Sequence, residues 1–591
     1  MSLVSNTKKA KRKWADAINV SYRCADGKNI LYVKSDNIIF SGVISKFGRY
    51  NKALGEWAVP FIKVKEFINE VKSVFDASLL PKPDIVRFIR NKLKIEFGLY
   101  IEITNMAKLY PLFKIRRGHK EFFSEIRRKV GFKHPNEINV RRYSLKDLKN
   151  WDGYVVPVQY DWEENCMYFD VGYVDIVKEL LESKGFYVEI RDRRDVFPIK
   201  DKIECDIELW KPQKEAFDVI IDSLQKNGKA LYQLPPGLGK TEMAMYIIHK
   251  LGVKTIILVN GRDLLYQWVK RIDRKLGFMP GIVGDGIFEP KDITVATLQS
   301  LWEYIKRNNN DVIRDVNVLE KFIDSGGIDD VDFAPIDNDE FFSSFSLVVL
   351  DEVHVGAAST YLAVLRSFTA KYFLGQSATT WRTDRFHPLL WGVFGKPVFV
   401  YDMKRAISDG YLVEPIVYLY ESDFELSDFY DWSYAESKLI ECESRNNLIA
   451  RIVESAPKPC VVFTRRKKHQ KLISLALNEI GVSHRIANGS TPSDERKKLI
   501  KDLDNCVENV AVITPIWEQG INIPSLKSVV LAYPIKSDVS LIQMVGRAIR
   551  KSKNKDFCHI YDFIDKYRTF KDRLWARINV YKKYNWKVIK K

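Results

Sequence analysis

Residues 233–244, QLPPGLGKTEMA, carry the reading on which the fold depends. Gly237, Gly239, Lys240 and Thr241 have the residue types of a phosphate-binding loop: glycines that let the backbone approach an anion, a lysine for the β- and γ-phosphates, and a hydroxyl for Mg²⁺. The pattern departs from the usual one at its first position, where Leu234 replaces glycine. That position ends a strand and holds no phosphate, so the departure leaves the cradle intact. The flanks agree with this reading. KALYQL (229–234) reads as a short strand, and TEMAMYIIHKL carries apolar residues at helical spacing. A loop between strand and helix turns its N–H groups toward an anion at the positive end of the helix dipole.

Two further stretches supply the rest of an ATP site. FSLVVLDEVH (345–354) is an apolar run ending in Asp351 and Glu352, 111 residues beyond Lys240. That spacing is about one α/β lobe with its crossovers, and it puts both acids at a strand's carboxyl end, where open parallel sheets bind ligands. Asp351 is expected to hold Mg²⁺, with Thr241, and Glu352 to polarise the attacking water. SLIQMVGRAIRKS (540–552) sets Gln543, Gly546, Arg547 and Arg550 in a Q-x-x-G-R-x-x-R pattern. The two arginines share a helical face and suit a γ-phosphate reached across a cleft. The alternatives for these stretches are a chance Gly-Lys-Thr turn, a solvated acid pair and a basic surface helix.

Composition agrees with a modular nucleic-acid enzyme. A chain of 591 residues exceeds one hydrophobic core, and 94 Lys+Arg against 76 Asp+Glu leave a net charge of +18. Such a field favours polyanions, nucleic acid before an anionic membrane. The seven cysteines include no C-x-x-C pair, which argues against zinc ribbons and four-cysteine clusters and for reduced thiols. No stretch reaches the length of an apolar membrane span, and MSLVSNTKKAKRK lacks a signal peptide's apolar core. The expected location is the cytoplasm, that of a bacterium or phage host.

Taken in order, these motifs resemble those of a superfamily-two DExH helicase, and the resemblance runs through roughly the last 380 residues. It implies two tandem RecA-like α/β lobes, parallel sheets with helices on both faces, closing on one ATP with Mg²⁺. LWKPQKEAF resembles the adenine-reading segment, with Gln213 as the reader and Lys211 where arginine is more frequent. VNGRDLLYQWVKRI offers Arg262 and Gln267, and ITVATLQSL offers Thr297 and Gln299, as nucleic-acid contacts. Ser377, Ala378 and Thr379 of GQSATTWRTD resemble the link between ATP state and nucleic-acid grip, with Arg382 and Asp384 also matching and His354 as their neighbour. In the second lobe, Thr464 follows Phe463 at a strand end, and VITPIWEQGINIP carries Thr514, Glu518, Gly520 and Asn522, the last where aspartate is frequent. Thr464 and Thr514 are the nucleic-acid candidates of this lobe, and Gly520 a nucleotide one. The DEVH, SATTWRTD and RLWARINVYKKY stretches are similar to UvsW-type phage branch-migration helicases. That resemblance implies DNA as the partner, single-stranded and as forks or junctions, with replication or recombination proteins as further partners. A DExH RNA helicase, a restriction-system motor and a DNA-binding scaffold with a decayed ATPase remain open, although no nuclease constellation is found.

The organisation expected is an α+β DNA-binding region over 1–205, lobe 1 over 206–408 with an acidic surface insertion at 307–342, and lobe 2 over 409–591 ending in a basic tail. Within the first region, 47–71 and 157–181 run alike: aromatic, turn, aromatic strand, amphipathic helix. Tyr50 and Trp57 parallel Tyr160 and Tyr168, and the first copy resembles the HARP modules of annealing helicases. Tyr50 and Trp57 are accordingly candidate base-stacking residues, core aromatics being the alternative.

Overall fold

A computed structural model describes residues 18–25, 28–35, 49–51, 56–60, 98–104, 106–111, 120–133, 154–155, 158–161, 166–183, 187–308, 339–357, 359–379, 387–426, 431–514, 523–552 and 555–591. The acidic stretch 309–338, the KKAKRK run, Arg382, Asp384, Glu518, Gly520 and Asn522 lie outside them. The chain divides into two compact units, with the break between Asp195 and Val196.

The second unit holds two parallel sheets. The first has eight strands in the order Ile287–Glu289, Gly281–Gly284, Ile293–Thr297, Thr255–Val259, Leu347–Asp351, Tyr372–Ser377, Lys229–Gln233 and Pro397–Val400. Every pairing is parallel except the hairpin at 281–289. Its inner strands, KALYQ, TIILV, ITVAT and LVVLD, are buried at every position. Continuous apolar runs of this kind, without alternation, are what a sheet covered by helices on both faces requires. The covering helices include Lys211–Asn227, Lys240–Leu251 and Arg262–Leu276, each ended by a glycine with positive φ. In Arg262–Leu276 the buried residues are Leu265, Trp268, Ile272 and Leu276, at helical spacing on one face.

The second sheet has seven strands, Arg485–Ala487, Val510–Ile513, Cys460–Phe463, Ser528–Leu531, Phe557–Lys566, Glu414–Glu425 and Lys587–Lys590, all paired in parallel. Fold class is therefore that of tandem α/β lobes with parallel sheets. The final residues correct one expectation. YKKYNWKVIKK is no loose basic tail: it finishes the helix Arg568–Lys583 and then forms the sheet's edge strand. Its aromatics Tyr581, Tyr584 and Trp586 are buried and belong to the core, while the lysines between them face solvent. Long side chains at an exposed edge keep other strands from pairing there.

In the first unit, a four-stranded antiparallel sheet runs Ile18–Ala25, Lys28–Ser35, Glu56–Pro60, Arg49–Asn51. A five-stranded mixed sheet runs Tyr187–Asp192, Gly98–Ile103, Ala107–Pro111, Cys166–Phe169, Val158–Asp161. Its core joins Leu99, Ile101, Leu109 and Phe169 to Ile126 of the helix Lys120–Val130 and to Val177 and Leu181 of the helix Val174–Ser183. Both stretches read as similar contain a hairpin, but in different registers. Tyr50 faces Trp57 directly, whereas Tyr160 faces Met167 and Tyr168 faces Gln159. The helix expected after the first hairpin lies outside the described residues.

Candidate functional site

The loop after Lys229–Gln233 turns through Gly237 at φ 90° and Gly239 at φ 71°, and Lys240 opens the next helix. Both glycines are required twice over, by a left-handed backbone and by space. A Cβ on Gly239 would sit 2.3 Å from Gln213 Nε2, and one on Gly237 2.5 Å from Arg550 Nε. Gln213, expected to read adenine, is buried against the loop: its amide donates to the carbonyls of Leu238 (3.1 Å) and Gly239 (3.2 Å) and accepts from the Trp210 N–H (2.8 Å). Lys240 Nζ lies 3.4 Å from the Leu234 carbonyl and 3.7 Å from Glu352 Oε1.

Asp351 and Glu352 leave the end of Leu347–Asp351 into two unlike settings. Asp351 is buried, and the donors the structure gives its oxygens are neutral: Trp268 Nε1 on Oδ2 (2.8 Å), and Gln376 Nε2 and the Glu352 N–H on Oδ1 (both 3.0 Å). The Gln376 amide is itself fixed by the buried Tyr232 hydroxyl at 2.5 Å. Burial, and next the charge of Glu352, raise the Asp351 pKa above the ordinary carboxylate value despite Lys240 and these hydrogen bonds. For Glu352 burial pushes the same way but is outweighed by Lys240, His354, the Ser377 hydroxyl and Arg547, so its pKa falls. Glu352 also holds φ 55°, a backbone conformation rare outside glycine and characteristic of strained functional positions.

From Glu352 a hydrogen-bonded chain leads away from the site. Ser377 Oγ donates to Glu352 Oε2 at 3.1 Å, stands 3.2 Å from His354 Nδ1, and accepts from the Thr379 N–H at 3.2 Å. Ala378, between them, is buried. The stretch expected to link nucleotide state to nucleic-acid grip thus touches the acid expected to handle water.

The second lobe closes this site. On the helix Asp538–Ala548, Gly546 faces the loop so closely that a Cβ would lie 2.6 Å from Pro236 Cγ. That approach explains why the Q-x-x-G-R pattern needs its glycine. Gln543, Arg547 and Arg550 then line one cleft of about 390 Å³ with Lys240, Thr241, Asp351 and Glu352. Burial lowers the Arg550 guanidinium to about 10, with Arg271 adding to the effect and Glu242 opposing it.

The expected nucleic-acid contacts fare differently. Gln267 lines this same cleft, on the helix face it shares with Leu264 and Arg271. Arg262 is exposed and pairs with Asp285 at 2.9 Å. Thr297 is buried, and its hydroxyl accepts from the Ser300 N–H at 3.2 Å, capping the helix Leu298–Asn308; Gln299 beside it is exposed. Thr464 is buried and donates to the Ile513 carbonyl at 3.2 Å, while the buried Thr514 hydroxyl finds no partner among the described residues. Tyr50 is half exposed. Trp268 and Gln376, which hold Asp351, and Tyr232, which holds Gln376, carry no motif; the apolar spacing Leu265–Trp268–Ile272 is the one signal pointing Trp268 inward.

Comparison with known proteins agrees with this geometry. The family described as "Type III restriction enzyme, res subunit" matches residues 206–382, and "Helicase conserved C-terminal domain" matches 444–552. The two matches, one on each lobe, support a superfamily-two helicase core. Among curated relatives, "Probable helicase D10" of Escherichia phage T5 is 26% identical over 424 residues, which cover 70% of the chain and 83% of the relative. "DNA 3'-5' translocase XPB2" of Sulfurisphaera tokodaii is 24% identical, covering 65% and 87%. "Putative ATP-dependent helicase IRC3" of Saccharomyces cerevisiae is 27% identical over 60% of the chain, and the chain spans about half of that relative's length (51%). Among solved structures, that of T4 UvsW aligns with 83% of this chain and 99% of its own at 17% identity and a TM-score of 0.35. The helicase match implies the use of ATP. No described helix is long and apolar enough to cross a membrane.

Proposed function

We propose that the protein is an ATP-dependent DNA translocase that remodels branched DNA such as forks and junctions. The observation that carries the reading is the single cleft in which Lys240, Asp351 and Glu352 of one lobe meet Arg547 and Arg550 of the other. Two lobes that share one nucleotide must close when it binds and part when its γ-phosphate leaves, and alternating closure is what moves such a protein along a strand.

The roles follow from charge and position. Backbone N–H groups at Gly237–Thr241 and Lys240 take the triphosphate, and Gln213, which lines the same cleft while bonded to the loop, is the candidate adenine contact. The residues fit Mg²⁺: Asp351 is a buried carboxylate whose hydrogen-bond donors are neutral, so it can accept a cation's charge, and Thr241 lies beside it in the cleft. No described group of three or more His, Cys, Asp or Glu forms a cage, which suits a cation held largely by phosphate oxygens. When bound, Mg²⁺ neutralises charge developing between the β- and γ-phosphates. Glu352, kept ionised by Lys240 and His354, orients the attacking water and accepts its proton. Arg547 and Arg550 stabilise the transferring phosphoryl, an effect on the order of 10³–10⁵ in rate. Loss of the γ-phosphate alters what Glu352 and Ser377 face, and the Ser377–Thr379 chain carries that change to the nucleic-acid side.

A DNA substrate is supported by the net charge of +18 and by the relative named as a DNA translocase. ATP-driven strand displacement on forked DNA, a four-way junction and an RNA duplex tests the reading. Activity on forks and junctions with little on RNA is expected; preference for the RNA duplex overturns it in favour of an RNA helicase.

A further inference from the structure

Behind the cleft, Lys555 is almost wholly buried, with 5% of its surface exposed. Burying an ammonium is costly unless its donors are matched. Here Nζ donates to the carbonyl of Ala548, the last residue of the arginine-bearing helix, and at 2.9 Å to the carbonyl of Pro524. The segment around Pro524 is tied in turn to the helix Ser493–Asp504, through the Ser525 N–H on Asp504 Oδ1 (3.1 Å) and the Ser525 hydroxyl on the Leu503 carbonyl (3.2 Å). One cation therefore joins two elements of the second lobe, and through Ser525 a third, at the point where the chain leaves Arg547 for Arg550. A cation at a helix C-terminus meets the negative end of the dipole, and charge-assisted bonds to carbonyls are stronger than neutral ones.

We propose that Lys555 is a positioning residue for hydrolysis, its ammonium locking the end of the arginine helix to the Pro524 segment and so fixing Arg547 and Arg550 in the cleft. The inference rests on the roles given above to those arginines. The groups facing the ammonium are Cys558 from the strand Phe557–Lys566 that follows it, Arg550 just beyond the arginine helix, Asp504 from the neighbouring helix, and Lys527. Burial comes first in pulling the Lys555 pKa down, to about 8, with Arg550 and Lys527 acting the same way and Cys558 and Asp504 against. The lock consequently weakens as pH rises through that value, where the amine loses its charge but not its place.

The test is the pH profile of kcat in the full-length protein at saturating ATP, with Lys555→Met beside it. The parent protein should lose turnover through an alkaline limb near pH 8. Lys555→Met should reduce kcat by about tenfold at neutral pH, the loss expected for a misplaced charge-assisted contact, leave the KM for ATP unchanged, and lack the limb. Partial unfolding is separated from this by circular dichroism over the same pH range, which should stay flat where turnover falls. Lys555 itself, with an unfolded pKa near 10.4, makes the fold more stable as pH rises there, whereas the buried Cys460 and Cys558 thiols, pushed up to about 12, act the other way. A limb that coincides with loss of the folded signal overturns the proposal. A parent profile flat through the window overturns the proposal without recourse to any variant, and so does a limb retained in Lys555→Met. If Arg547→Ala depresses kcat while Lys555→Met does not, the lock alone fails; if Arg547→Ala is also without effect, the arginine roles fail with it.

Discussion

Each lobe buries aspartates in its parallel sheet, and their partners differ. In the first, Asp351 accepts from an indole N–H, an amide and a backbone N–H. In the second, Asp562 is held bidentately by Arg577 at 2.8 and 2.9 Å with the Tyr581 hydroxyl at 2.8 Å, and Asp565 by Arg445 at 2.7 and 3.2 Å. Both arginines also donate to backbone carbonyls, Arg577 to Ile535 and Arg445 to Ala532. Neutral donors orient a carboxylate and leave its charge to be met by an incoming cation; a guanidinium meets it outright. The first arrangement suits the role proposed for Asp351, and the second fastens the helices Glu443–Ser455 and Arg568–Lys583 to the sheet.

That contrast is easiest to break at its reactive end. Lys240→Ala should abolish ATP hydrolysis, with turnover down by more than about a thousandfold, while DNA binding is retained. Radiolabelled phosphate release and fork binding on the same preparation check it; hydrolysis above a few per cent of the parent refutes the assignment of the loop. Arg547→Ala should come next, lowering kcat by roughly 10³ with nucleotide still bound, since its charge acts on the transition state. A proportional loss of nucleotide affinity in a fluorescent-nucleotide titration would make it a binding contact.

At the structural end, Arg577→Met should leave Asp562 buried without its guanidinium and destabilise the second lobe by about 3–5 kcal/mol. Asp351→Asn, which keeps the shape and at least part of the neutral hydrogen bonding, should change stability far less while stopping hydrolysis. Denaturant unfolding of both variants compares them directly, and equal destabilisation would erase the distinction drawn here.

The reactive half of the site was legible because its chemistry is local in sequence: a phosphate loop needs glycines next to a lysine, and an acid pair ends an apolar strand. What supports those residues was not, since Trp268 and Gln376 meet Asp351, and Tyr232 meets Gln376, only when three separate strands and a helix come together. Gln267, whose motif resembles a strand contact, lines the cleft with Leu264 and Arg271, a shared helical face that the motif alone does not reveal. Interleaved aromatics and lysines near the C-terminus read as a basic tail because composition alone does not separate the buried side of a helix end and its turn from the wet one. Tyr581 and Trp586 are buried where Lys582 and Lys587 are not.

The finest test of the comparison concerns a single hydrogen bond. Trp268→Phe removes the indole N–H from Asp351 Oδ2 while keeping most of the apolar bulk in the helix. That bond lowers a pKa that burial and Glu352 already raise, so its loss should raise the pKa further. The sign is then fixed. More Asp351 is protonated at a given acidic pH, the acid limb of kcat moves to higher pH, and the Mg²⁺ concentration needed for half-maximal turnover rises on that limb but converges with the parent's at alkaline pH. Only a carboxylate whose charge is left for a cation behaves this way; a limb unmoved by the substitution would mean that Asp351 is neutralised by some other group and that its resemblance to Asp562 is closer than its hydrogen bonds suggest.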